Sequence, residues 1–197
     1  MDKALFSEVI ACALERWSPR IGDPTIMGWV TVAAYALCAL MAGAVAWRAP
    51  FPRATLRRER MFWAGLALLM GFLAVNKQLD LQSFLTALGR CEARLQGWYE
   101  ARRPVQREFI ILLLALTMLG GAALTWVMRH TLRRIWPALI GLVLVAGYVL
   151  VRAVSFHHMD ALINTRLLDV RLNWAFELSG LALILWGARR MLRSPGP

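Results

Sequence analysis

The sequence predicts an all-α polytopic membrane protein. About five transmembrane helices follow an N-terminal interfacial helix, with the N-terminus outside and the C-terminus in the cytoplasm. Three observations carry this expectation. Hydrophobic residues fill 59% of the 197 positions, in runs near the ~20 residues a bilayer-spanning helix needs. The segments 48–60, 129–134 and 189–193 contain eleven arginines and one acid, Glu59, and so hold ten of the eleven net positive charges. Basic segments that alternate with apolar runs mark the cytoplasmic side. The nine tryptophans fall at the ends of the runs, as an aromatic belt at both interfaces requires.

Taken in order, the whole chain, 1–197, reads as one transmembrane domain. Residues 4–17 interrupt apolar side chains with Ser7, Glu8, Glu15 and Arg16, which suits a helix lying in the interface within the first 24 residues. No small-residue cleavage site follows, so the first span is expected to act as the insertion signal. Pro19 and Pro24 break the chain. Asp23 or Thr25 can cap the next helix, with Pro24 at an early helical position. Spans are expected at 26–47, 61–82, 109–127, 135–154 and 170–188. Residues 61–75 alone rise only ~22 Å, so the second helix should continue past Asn76 and Lys77. Residues 83–107 form an extracytoplasmic excursion, helical to about Leu95, with bends at Gly97 and Pro104. Pro137 fits the first turn of the fourth span.

Polar side chains inside an apolar band are expensive, so each asks for a partner or a purpose. Asn76, Lys77 and Asp80 end the second span. Arg152, Ser155, His157, His158 and Asp160 end the fourth, and Asn173 and Glu177 open the fifth. All are expected at similar depth on the outer side. Asn76 and Asp80, and Asn173 and Glu177, are four residues apart, a same-face helical spacing, with Gly180 below Glu177. Converging faces would form an outward-opening polar pocket. The bland alternatives are ion pairs, Lys77 with Asp80 or Arg152 with Glu177, and asparagines that hydrogen-bond between helices.

Within that pocket Asp80, His157, His158, Asp160 and Glu177 are the candidate catalytic residues. A carboxylate that orients an imidazole is an acid/base pair. Imidazole and carboxylate also suit a divalent metal, held by His157, Asp160 and Glu177. Asn76, Lys77, Arg152 and Asn173, with Arg102 and Arg103 of the excursion, are the candidate substrate-binding residues, because guanidinium grips phosphate or carboxylate in a bidentate fashion. Ser155 lacks a Gly-x-Ser-x-Gly setting, and no His-Glu-x-x-His zinc motif occurs. Cys12 and Cys91 both fall outside and can pair in an oxidising compartment; Cys38 reads as a small apolar filler. Gly120, Gly121 and the small residues of the first span allow close helix packing.

Three functional readings follow. The first is a membrane-embedded enzyme acting on a lipid or lipid-linked anionic substrate. The second is a non-catalytic subunit or assembly factor that docks on a membrane-protein partner. The third is a small proton-coupled transporter, which the sparse polar content of the inner half of each span disfavours. The expected surroundings are the bilayer of a bacterial inner membrane, with anionic headgroups at the cytoplasmic basic loops. A pI near 11.1 does not imply nucleic acid, because the arginines flank spans and do not line one face.

Overall fold

The computed structural model describes residues 3–19, 21–154, 166–167 and 170–194. Among the described residues the chain is all-helical apart from one antiparallel ladder of two-residue strands, and four of the helices are long and apolar enough to span a membrane. Helix α1 (Lys3–Arg16) lies against α4 (Leu81–Leu95) at one end of the molecule. The long helices are α2 (Ile26–Arg48), α3 (Leu56–Leu79), α5 (Arg102–Met128), α6 (Leu132–Val154) and α7 (Leu172–Arg193). Strands β1 (Arg166–Leu167) and β2 (Val170–Arg171) form the ladder directly before α7. The four helices that meet the length and hydropathy of a span are α2, α3, α5 and α6.

Local chemistry explains where the helices begin and end. Thr25 is the N-cap of α2 and its hydroxyl accepts the Gly28 N–H at 3.1 Å. Asp23 in turn accepts both the Thr25 N–H and its hydroxyl. Of the two expected caps Thr25 is the one used, with Asp23 bracing it, and Pro24 lies outside the helix, not at the early helical position expected. Helix α3 does pass Asn76 and Lys77, but it stops at Leu79, short of the expected 82. Asp80 takes a left-handed conformation (φ 48°), ends α3 and starts α4 with no intervening loop. Aspartate is one of the few non-glycine residues that tolerates this region. Gly97, at φ +77°, makes the expected bend after α4. Pro104 makes none, because it sits in the first turn of α5, where a missing N–H is harmless. Pro137 lies in the second turn of α6, not the first, since that helix starts at Leu132.

In the bundle α3 packs on α2, α2 on α7 and α7 on α6. Its core holds Tyr35, Cys38, Trp63, Leu66, Met70, Ile135, Val145, Leu181 and Ile184. Trp63, expected at an interface, is fully buried. The tightest approach is between α6 and α7. A Cβ on Gly141 would lie 2.5 Å from the Gly180 carbonyl oxygen, and one on Gly187 would lie 3.0 Å from the Ala138 nitrogen. These glycines, not Gly120 and Gly121, let two helices touch; the latter pair faces open space on α5. Helix α5 is peripheral, with no buried residue between Arg107 and Val127. Exposed Leu40, Leu68 and Met118 complete a wide apolar outer surface, the kind a bilayer covers.

The α1–α4 end is tied down covalently. Cys12 and Cys91 form a disulfide with their Cα atoms 6.1 Å apart. The linker after α1 is stitched to the same corner: the Gly22 N–H donates to the Gln78 carbonyl at 2.7 Å and the Trp17 indole N–H to the Leu79 carbonyl at 3.2 Å. Denatured membranes treated with a maleimide–polyethylene glycol reagent should therefore show one modified cysteine, Cys38, and three after reduction. Three modified cysteines without reductant would contradict the crosslink.

Candidate functional site

The deepest polar contact in the bundle joins α2, α3 and α7. Glu177 sits in the second turn of α7, three residues before Gly180, and the close α6–α7 crossing holds that turn in the core. Its side chain is 1% exposed. Lys77, two residues from the end of α3 and 9% exposed, donates to both carboxylate oxygens, at 3.2 Å to Oε1 and 3.0 Å to Oε2. The Tyr35 hydroxyl, from mid-α2, donates to Oε1 at 3.0 Å. The Lys77 ammonium also lies 5.8 Å from the Tyr148 ring centroid of α6, within cation–π reach. The pairing crosses the two suggested by spacing alone: Lys77 reaches Glu177, 100 residues away.

Tyr35, Lys77 and Glu177 of this cluster line a small pocket of about 40 Å³, together with Leu73, Asn76, Asp80, Gln82, Tyr148 and Val149. Asn76 uses its carbonyl oxygen to accept the Leu81 N–H at 3.2 Å, and so braces the α3–α4 junction. Asp80 accepts the Ser83 hydroxyl at 2.6 Å. Gln78, one residue past Lys77, exchanges hydrogen bonds with the Asp23 backbone. Gln78 thus ties the end of α3 to the linker after α1, beside the pocket residues Asn76, Lys77 and Asp80. Within the bundle the Lys77–Glu177 pair is neutral as a unit, and the tyrosine hydroxyl adds a charge-assisted donor, the stronger class of hydrogen bond.

Of the sequence-derived candidates, Asn76, Lys77, Asp80 and Glu177 come together here. His157, His158 and Asp160 lie outside the described residues, as does Ser155. Arg102 and Arg103 open α5, Arg152 lies near the end of α6 and Asn173 near the start of α7; their side chains are likewise outside the description. Among the described residues no three His, Cys, Asp or Glu side chains gather as a metal-ligand set, and of the candidate ligands only Glu177 is described. Tyr35, Gln82 and Tyr148 are members that spacing did not suggest. A tyrosine in the middle of an apolar span was the available signal, since a buried phenol needs a partner.

A second buried carboxylate lies at the arginine-rich end. Glu59, in the first turn of α3, is fully buried. Its Oε1 accepts the Thr55 hydroxyl at 2.7 Å, and its Oε2 lies 3.5 Å from Arg134 Nε. Arg134 also donates to the Pro50 carbonyl at 3.0 Å. One guanidinium thereby joins the α2–α3 loop to the start of α6. One turn along α3, the buried Trp63 indole N–H has no hydrogen-bond partner among the described residues.

No family model matches the chain, and comparison with curated proteins and with solved structures finds no match either. The site therefore has to be read from its own chemistry.

Removing Arg134 would strand a buried carboxylate, a loss of about 3 kcal/mol. Arg134→Met is expected to lower unfolding stability in detergent by roughly that amount, and Glu59→Met added to it should restore most of the loss. Losses that simply add would show that Glu59 and Arg134 do not interact.

Proposed function

We propose that the chain crosses the bilayer of a bacterial inner membrane five times, with α7 as the fifth span. The N-terminus and the disulfide corner are outside and the arginine-rich ends are in the cytoplasm. Two observations support this orientation. Cys12 and Cys91 are bonded, which belongs in an oxidising compartment, and the arginine clusters sit at the opposite ends of the spans, where cytoplasmic loops carry their positive charge.

The outward-facing pocket is then an enzyme site for a lipid or lipid-linked anionic substrate. The observation that carries this reading is the setting of the Lys77–Glu177 pair. This pair lines a pocket together with Asn76, Asp80, Gln82 and Tyr148, so several polar groups converge on it. Ligand and active sites are concave and carry a few convergent polar groups, which is the arrangement here. Glu177 and Asp80 supply carboxylates for acid/base work and Lys77 supplies the cation for an anionic group. His157, His158 and Asp160 belong to the connection between α6 and α7, whose ends carry Tyr148 and Glu177, and are assigned to the same site by that connectivity. If a divalent metal takes part, His157, Asp160 and Glu177 are its ligands. A second reading, a subunit that docks on a membrane-protein partner, is favoured by α5, whose apolar length is left uncovered.

Whole-lipid mass spectrometry separates the two. Cells lacking the protein are complemented with wild type, Asp80→Asn or Glu177→Gln. Asparagine suits the left-handed backbone of position 80, so that variant should accumulate normally. A lipid species that builds up in the deletion and in both variants, and is cleared by wild type, supports the enzyme. Identical lipid profiles in all strains would overturn it.

A further inference from the structure

The C-terminal end of α7 carries Arg189, Arg190 and Arg193, and with Trp186 and Ser194 they line a groove of about 450 Å³. All three arginines are exposed. Trp186 meets Trp136 of α6 edge-to-face, with centroids 5.3 Å apart. Arg133, also exposed, lies three residues before Trp136, on the same face of α6. Four guanidinium groups therefore flank one tryptophan pair.

Helices α6 and α7 have a single acidic residue between them, Glu177, which is committed to Lys77 at the far end. Among the described residues none of the four arginines forms an ion pair. The surface then changes character along α6. Trp136, Ile140 and Val143 follow one another at helical spacing and are 39, 45 and 62% exposed. Charge, aromatic pair and apolar track occur in that order along the helix axis, which is the order of phosphate, glycerol and acyl chain in a phospholipid.

We propose that this groove is a binding site for an anionic phospholipid. Its phosphate is held by Arg189, Arg190 and Arg193, with Arg133 beside it, since guanidinium pairs with phosphate through two parallel hydrogen bonds. The glycerol backbone packs on Trp136 and Trp186, and one acyl chain runs over Ile140 and Val143. The track is what selects a lipid over free phosphate, which would have no use for it. The proposal rests on the reading that α6 and α7 cross the bilayer, but not on which side the groove faces.

Native mass spectrometry of the delipidated full-length protein tests it. The protein is titrated with dioleoyl phosphatidylglycerol, dioleoyl phosphatidylcholine or inorganic phosphate. Phosphatidylglycerol is expected to bind at least about tenfold more tightly than phosphatidylcholine, about 1.4 kcal/mol. The variant Arg189→Gln/Arg190→Gln/Arg193→Gln should lose that preference. The charge-matched control Arg53→Gln/Arg57→Gln/Arg58→Gln should keep it, and Trp186→Ala should weaken retention of phosphatidylglycerol. Equal loss in both triple variants would reduce the effect to diffuse charge and overturn the site. So would equal binding of the two lipids, or displacement of phosphatidylglycerol by millimolar phosphate. Failure of the spanning reading itself would show separately, as recovery of the protein in the soluble fraction without detergent.

Discussion

A buried charge is tolerated only when its partner is held in place, and the Lys77–Glu177 pair imposes that condition on the whole bundle. Stranding either ion in the core costs about 3–5 kcal/mol. The end of α3, the start of α7 and the middle of α2, through Tyr35, must therefore meet at one point. The rest of the disulfide end can be understood as what makes that meeting possible. Gly141 and Gly180 let α6 and α7 close until Glu177 is inside. Asp80 turns the chain sharply enough that α3 ends two residues past Lys77. The Cys12–Cys91 bond and the Gly22–Gln78 contact fasten that corner.

The opposite end uses the same device with a different consequence. Glu59 and Arg134, through the Pro50 carbonyl, join a loop to a helix start. Glu177 instead opens onto a polar pocket. Two buried carboxylates of similar chemistry thus differ in their surroundings: Glu59 bridges a loop and a helix start, whereas Glu177 lines a polar pocket. That contrast is the reason the enzyme reading is attached to the disulfide end.

Much of the architecture was legible in the amino-acid sequence because bilayer physics is simple. Length and hydropathy are enough for α2, α3, α5 and α6, and the polarity change at Asn76 marks where the polar pocket lies. The expected shared side of Cys12 and Cys91 allowed their pairing without requiring it, and the bond itself is seen only in the structure. Three features were hidden because they depend on long-range packing. Lys77 has Asp80 three residues away, so local spacing favours the wrong partner over Glu177. Tyr35 counts as one more apolar residue until the helix facing it is known. Gly120-Gly121 looks like the packing motif by adjacency, whereas the functional contact pairs Gly141 with Gly180, which are far apart in the chain. The left-handed turn at Asp80 was missed for a different reason: a single aspartate is compatible with a continuing helix, and only the contacts of α4 with α1 decide against it.

The most direct test of this account is a double-mutant cycle on the pair itself, read by unfolding of the detergent-purified protein. Lys77→Met and Glu177→Met should each be strongly destabilising, and the double variant should be more stable than either loss summed, with a coupling of at least about 2 kcal/mol. Losses that add, with no coupling, would mean that the two charges do not hold each other in the bundle and that the architecture rests on something else.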